Sequence, residues 1–309
     1  MRRLDVRALL ALTLVACLLC TAQQAKAEVA PRTVAPTQVF EVGMLRVEHF
    51  RAAGKTPLIF IPALYCGSWE WNKQIALLAG RFDMYAVTLP GFDGRPRDHQ
   101  PHLMERAAAS VAQLIRERRL QRPIVIGHSL GGTISVLFGE TYPNDAAGII
   151  AVEGGYPVAP TAAERERRAD AASQPYLGVD SQTFAKRLRA NQLQFVITSK
   201  SDVDAVSRYA DRSDPTAVAL WLRAALNMDL TPQLGRIRVP FVEIVPYSRD
   251  IDPYRGFPTL AAKRNAYLAW VAHARNGRVI MIDDARHFVM FDRPAAFDRA
   301  LLASISAMQ

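Results

Sequence analysis

The sequence is poor in cysteine and in the residue clusters that mark metal or nucleic-acid sites. Of its three cysteines, Cys17 and Cys20 lie in an N-terminal segment that we expect to be removed, and Cys66 alone cannot form an internal disulfide. No spacing of cysteine and histidine suggests a metal. The basic residues are scattered rather than interleaved with aromatic residues, so we expect no nucleic-acid partner despite a net charge of +9.

Long apolar runs and internal repeats are also absent, and the longest apolar stretch, residues 8–19, is too short to span a bilayer. It follows a basic segment with Arg2, Arg3 and Arg7 and precedes Ala25-Lys26-Ala27, which is typical of a cleaved signal peptide. We therefore expect residues 1–27 to be a signal peptide and the protein to be exported, periplasmic or secreted. The competing interpretation is a lipobox-like run that ends at Cys17, where a lipid would be attached. We expect the protein to associate with a membrane only if Cys17 is lipidated.

The residues after the leader suit one large domain with an insertion, or a domain with a small lid. Short apolar runs at 58–61, 84–89, 123–127, 149–152, 239–245 and 279–282 alternate with helical segments such as 105–119. This alternation predicts an α/β fold with a doubly wound, mostly parallel sheet. It breaks between residues 156 and 228, where Asp214-Pro215 is typical of a helix start and Val218, Trp221, Leu222 and Ala225 follow at helical spacing. We predict core segments at 28–155 and 229–309, and a helical cap at 156–228.

The most informative motif is Gly127-His128-Ser129-Leu130-Gly131, which lies between a predicted strand and a helix. The pattern G-x-S-x-G is that of a nucleophile elbow, in which a strained turn exposes a serine above the sheet. A side chain at Gly127 or Gly131 would crowd the neighbouring strand and helix. We therefore expect Ser129 to be a nucleophile.

A serine nucleophile needs a base on a loop past a late strand, and a carboxylate that holds this base in the right tautomer. His287 follows the predicted strand at 279–282 and is the expected base. The acid is expected after the strand at 239–245, where Asp252 is favoured narrowly because of the Asp-Pro step and Asp250 is the alternate. Glu153, directly after the strand at 149–152, is a third candidate. The backbone amides of Leu64 and Leu130 are the expected oxyanion-hole donors.

These motifs make the chain resemble the α/β-hydrolase fold superfamily, in its serine esterase-like branch with a helical cap. The resemblance spans nearly all of the chain after the leader and is carried by LIFIPALYCGSWEW, YAVTLPGFDG, VIGHSLGG, MDLTPQLGRIRVPFVEI and RHFVMFDRP. Pro62-Ala63 replaces the His-Gly that usually follows the strand at 58–61. A serine at position 129, where haloalkane dehalogenases and epoxide hydrolases have an aspartate, argues against their chemistry.

The expected activity is hydrolysis of a carboxylic ester or a related acyl compound through an acyl-enzyme, with no cofactor and a small acyl molecule as the partner. Hydrolysis of a C–C bond, a lactone or a thioester could use the same residues. A lyase of this fold, or a binding or signalling protein that turns over slowly, is a further alternative. The sequence favours none of the oligomeric states.

The leader predicts a mature chain that starts at Glu28, outside the cytoplasm. N-terminal sequencing of periplasmic or secreted protein should return Glu28 as the first residue. Recovery of a mature form that begins at a lipid-modified Cys17 would instead support the lipobox.

Overall fold

The structure is a computed structural model that describes residues 32–309, so the expected leader, the cleavage before Glu28 and lipidation at Cys17 lie outside the described residues. Its centre is an eight-stranded sheet in the order β1-β2-β4-β3-β5-β6-β7-β8. The strands are β1 (Gln38–Val42), β2 (Leu45–Phe50), β3 (Pro57–Ile61), β4 (Asp83–Thr88), β5 (Ile124–His128), β6 (Gly148–Val152), β7 (Phe241–Tyr247) and β8 (Gly277–Asp283). Only β1–β2 and β2–β4 pair antiparallel, and the other neighbours are parallel. The predicted mostly parallel sheet is confirmed.

Helices connect the strands, and they cover the sheet. They are α1 (Asn72–Leu78), α2 (Leu103–Glu117), α3 (Leu130–Thr141), α4 (Ala162–Ser173), α5 (Ser181–Leu188), α6 (Gln194–Val196), α7 (Lys200–Ala210), α8 (Pro215–Asn227), α9 (Leu260–Val271), α10 (Val289–Asp292) and α11 (Pro294–Ser306). Strands β3, β5, β6 and β7 are buried along their whole length. Burial on both faces explains why these strands read as continuous apolar runs rather than as an alternating pattern.

The helices α4 to α8 all lie between β6 and β7, within the stretch predicted as a helical cap. Four of these five helices, all but α6, start at a side chain that accepts a hydrogen bond from a backbone amide of the first turn, at Thr161, Asp180, Ser199 and Asp214. The predicted helix start at Asp214-Pro215 is confirmed, because the Asp214 carboxylate accepts from the amide of Ala217 at 3.0 Å.

One end of the sheet collects the residues that matter for function. The carboxyl ends of parallel strands meet at the same edge, which is where open α/β sheets bind ligands. Leu64 follows β3, Ser129 follows β5, Glu153 follows β6, Asp252 follows β7 and His287 follows β8. The described helices include none that is long and apolar enough to cross a bilayer.

Candidate active site

Ser129 occupies a strained turn between β5 and α3. Its backbone has φ 54° and ψ −113°, a conformation that non-glycine residues rarely adopt. A Cβ on Gly127 would lie 2.0 Å from the carbonyl oxygen of Gly131, and a Cβ on Gly131 would lie 2.2 Å from that of Ile61. Both glycines are therefore required by close backbone packing, and the predicted elbow geometry is confirmed.

The end of β6 is fastened directly to this turn. The amide of Ser129 donates to the carbonyl oxygen of Val152 at 2.8 Å. Two residues on, a Cβ at Gly154 would lie 2.6 Å from both the Cα of Gly132 and the carbonyl oxygen of Ser129. The backbone on either side of Glu153 thus packs against the elbow, which places the Glu153 carboxylate at the same end of the sheet as Ser129.

The imidazole of His287 is held by Glu153. Its Nδ1 lies 2.5 Å from Glu153 Oε2 and, since an ionised carboxylate only accepts, Nδ1 donates. Burial lowers the pKa of His287 to about 4, although Glu153 acts in the opposite direction. The ring is therefore neutral at pH 7, with its Nε2 available to accept a proton.

Glu153 is held in turn by Lys263 of α9. The Lys263 ammonium donates to Glu153 Oε1 and, at 2.7 Å, to Asp252 Oδ1. Burial raises the pKa of the Glu153 carboxyl, but the charge of Lys263 and the bond to His287 outweigh burial and hold it well below its usual range. The carboxylate is therefore charged when it accepts the hydrogen bond from Nδ1 of His287.

In the structure, Asp252, the acid favoured from the sequence, does not contact His287. Asp252 is buried at 2% exposure, and its two oxygens are taken by other donors. Oδ1 accepts from Lys263, and Oδ2 accepts from the amide of Ser248 at 2.6 Å. The Asp-Pro step identified a buried acid in the right loop, but the sequence does not reveal that a lysine from α9 stands between that acid and the histidine.

The alternate, Asp250, does not contact His287 either. Its side chain is 59% exposed and pairs with Arg286 and with the hydroxyl of Ser248. Of the three acids considered from the sequence, the least favoured, Glu153, is the one that contacts the imidazole. The feature of the sequence that pointed to Glu153 was its position directly after β6, the strand that neighbours β5.

The loop after β3 is tied to the elbow through a buried pair that the sequence did not reveal. Glu70 Oε2 accepts from the amide of Ala63 at 2.7 Å, and Glu70 Oε1 pairs with His128 Nδ1. His128 Nε2 donates to the carbonyl oxygen of His287 at 3.0 Å. His128 therefore connects the loop of Leu64, the elbow and the backbone of His287.

These residues surround one cavity of about 640 Å³, lined by Leu64, Ser129, Leu130, Glu153, Asp252 and His287 among others. The cap closes it in part, through Phe195 and through Leu222, Ala225 and Leu226 of α8. The apolar face predicted for α8 divides in two. Leu222 and Ala225 line the cavity, whereas Trp221 is 1% exposed and donates from Nε1 to the carbonyl oxygen of Pro90 at 3.0 Å.

Comparison with known proteins agrees with this architecture. Residues 58–300 match the family model described as "Alpha/beta hydrolase family". The pimeloyl-[acyl-carrier protein] methyl ester esterase of Edwardsiella ictaluri is 24% identical over 259 residues, which cover 82% of this chain and 94% of that protein.

Solved structures share the fold at lower identity. A thermophilic esterase from Thermogutta terrifontis superposes with a TM-score of 0.65 at 18% identity, covering 88% of this chain and 99% of that one. The enol-lactonase of Burkholderia xenovorans LB400 gives 0.69 at 15% identity, covering 87% and 100%. The sheet order, the elbow and the family match together identify the chain as a member of the alpha/beta hydrolase family, and as a hydrolase.

Proposed function

We propose that this protein hydrolyses carboxylic esters or related acyl compounds, with Ser129 as nucleophile, His287 as general base and Glu153 as the orienting acid. The observation that carries the proposal is the bond of His287 Nδ1 to Glu153, in a cavity that Ser129 also lines. With Nδ1 protonated and bound, Nε2 is the basic atom of the ring, as serine hydrolysis requires.

In the first half of the reaction, Nε2 of His287 takes the proton of the Ser129 hydroxyl as Oγ forms a bond to the substrate carbonyl carbon. The developing oxyanion is stabilised by the amides of Leu64 and Leu130. Leu130 opens α3, where the first-turn amides have no partner within the helix and the helix dipole favours negative charge. The imidazolium then gives its proton to the leaving alcohol, whose bond to the acyl carbon breaks.

In the second half, a water molecule attacks the acyl-enzyme while His287 again accepts a proton. The acid is released and Ser129 recovers its proton from the imidazolium. Glu153 stays ionised throughout, because its part is to fix the tautomer of the ring and to stabilise the positive charge that forms there twice in each cycle.

An ester substrate is supported by the apolar part of the cavity and by a relative whose name is that of a methyl ester esterase. The lactonase among the similar structures supports the fold and keeps lactone hydrolysis as the nearest alternative. We also propose that the reaction takes place outside the cytoplasm, on the strength of the basic segment and the Ala25-Lys26-Ala27 site in the leader.

The first test concerns Ser129. A fluorophosphonate probe should form one adduct, located on Ser129 by mass spectrometry, and Ser129→Ala should lose p-nitrophenyl ester hydrolysis by several orders of magnitude. An adduct on another residue, or activity that survives in Ser129→Ala, would contradict the proposal. Labelling without turnover of esters, lactones or thioesters would favour a binding protein.

The second test compares the three acids. Glu153→Gln should lower kcat by about 10³–10⁴-fold, because an amide opposite Nδ1 favours the wrong tautomer of His287. The loss of kcat in Asp252→Asn should be smaller than that in Glu153→Gln by a factor of at least about ten, since the Asp252 carboxylate does not touch the ring. Asp250→Asn, in the same loop but exposed, is the control and should remain close to the unmodified protein. If Asp252→Asn were the most damaging of the three, the orienting role would belong to Asp252.

The third test separates the two halves of the face of α8. Leu222→Ala enlarges the cavity and should move the optimum of a p-nitrophenyl ester series toward longer acyl chains, with Ser129 still labelled by the probe. Trp221→Ala removes a buried ring outside the cavity and should lower the free energy of unfolding by about 3–5 kcal/mol with the preference unchanged. An unchanged preference in Leu222→Ala would contradict the assignment of this helix to the acyl pocket.

A further inference from the structure

Lys263 is an unusual residue to find where it is. The residue is 1% exposed, although lysine is almost never fully buried without a partner. It comes from the first turn of α9, where its amide donates to the carbonyl oxygen of Thr259 at 3.1 Å. The ammonium lies between Glu153 Oε1 and Asp252 Oδ1, and so joins the loop after β6 to the loop after β7.

Asp252 is itself fixed by its own loop. Its Oδ2 accepts from the amide of Ser248, and its amide donates back to the carbonyl oxygen of Ser248 at 2.9 Å. The series thus runs from Ser248 through Asp252, Lys263 and Glu153 to His287. Asp252 and Glu153 each use one oxygen for the group before and the other for the group after, and the ammonium of Lys263 joins the two carboxylates. A displacement of any of these side chains therefore changes the direction in which the next one points.

The charges of this series balance when His287 is protonated during the reaction, and not in the resting state. With a neutral ring, Lys263 faces two carboxylates, so the cluster carries one net negative charge. When His287 accepts the proton of Ser129, the imidazolium makes the cluster neutral. Without Asp252, the pair of Lys263 and Glu153 would already be neutral before the reaction and would favour the imidazolium less.

We propose that Lys263 and Asp252 are positioning residues. Lys263 keeps Glu153 ionised and directed at Nδ1 of His287, whereas Asp252 holds Lys263 in place and adds the negative charge that favours the imidazolium. This inference rests on the proposed function of Ser129, His287 and Glu153.

The other titratable groups around the cluster cannot replace Lys263. Glu243 of β7 accepts from the amide of Gly154 at 3.0 Å, and burial raises its pKa well above the usual range, so it supplies no cation. Burial likewise raises the pKa of Tyr267. Arg255 lowers the pKa of Glu153, yet among residues 32–309 no ion pair joins the two. Within that range, Lys263 is the ammonium in contact with Glu153.

The test is the pH dependence of kcat/KM for Lys263→Met, Asp252→Asn and the double variant, with Asp250→Asn as the exposed control. Activity falls as pH drops through the pKa of His287. This fall is the acid limb of the pH profile. Lys263→Met leaves Glu153 without its cation, so protonation of Glu153 should move the acid limb to higher pH by about one unit or more. Asp252→Asn removes a negative charge and should move the acid limb to lower pH.

The double variant removes one charge of each sign and should place the limb between those of the single variants. The double variant also tests Lys263 if Lys263→Met alone fails to fold. Compared with Asp252→Asn, the double variant must still have its acid limb at higher pH. Titration of the His287 Cε1 proton by NMR gives the same comparison where activity at low pH is small.

Parallel losses of rate with an unmoved limb in all three variants would overturn the inference and leave Lys263 as a packing residue. Fluorophosphonate labelling of Ser129 in the unmodified protein separates the two levels. A labelled Ser129 with an unmoved limb contradicts only the roles of Lys263 and Asp252, whereas an unlabelled Ser129 contradicts the proposed function itself.

Discussion

The buried carboxylate of Glu153 is the group on which the candidate site depends. An isolated carboxylate at this depth would take up a proton rather than remain charged. The Lys263 ammonium on one oxygen and the His287 ring on the other keep it ionised. Because the carboxylate is ionised, Nδ1 of His287 carries the proton and Nε2 is left as a base. Burial, which by itself would raise the pKa of Glu153, also lowers the pKa of His287 to about 4, so the ring is neutral at pH 7.

The fold supplies the precision that such a site needs. The elbow bonds to the end of β6 through Ser129 and Val152, and Gly154 lets the two backbones touch. On the other side, Glu70 and His128 join the loop of Leu64 to the carbonyl of His287. The proposed nucleophile, acid, base and oxyanion loop are thus joined by buried hydrogen bonds within the core. The cap adds bonds of its own, from the Ser213 hydroxyl to the carbonyl oxygen of Tyr65 and from the amide of Phe288 to the carbonyl oxygen of Val196, and its helix α8 presents Leu222 and Ala225 to the cavity.

Much of this could be predicted from the sequence, because continuous apolar runs and closely spaced glycines are local signals. The runs located the buried strands within a few residues, and Gly127 and Gly131 defined the elbow. The acid could not be predicted in the same way. Three carboxylates follow strands at the correct edge, and their order of preference depended on loop position. What decides between them is Lys263, about 110 residues after Glu153 and carrying no sign in the sequence that α9 buries it. Contacts between distant segments also explain why the pair of Glu70 and His128 was missed.

The most direct measurement of the central claim is the proton NMR spectrum of the Nδ1 proton of His287. A proton held between an imidazole nitrogen and a carboxylate resonates far downfield, and the pair of His128 and Glu70 should give a second such signal, assigned by its loss in Glu70→Gln. The account predicts that the His287 signal disappears in Glu153→Gln and persists in Asp252→Asn. A signal that survives in Glu153→Gln and is lost in Asp252→Asn would contradict it.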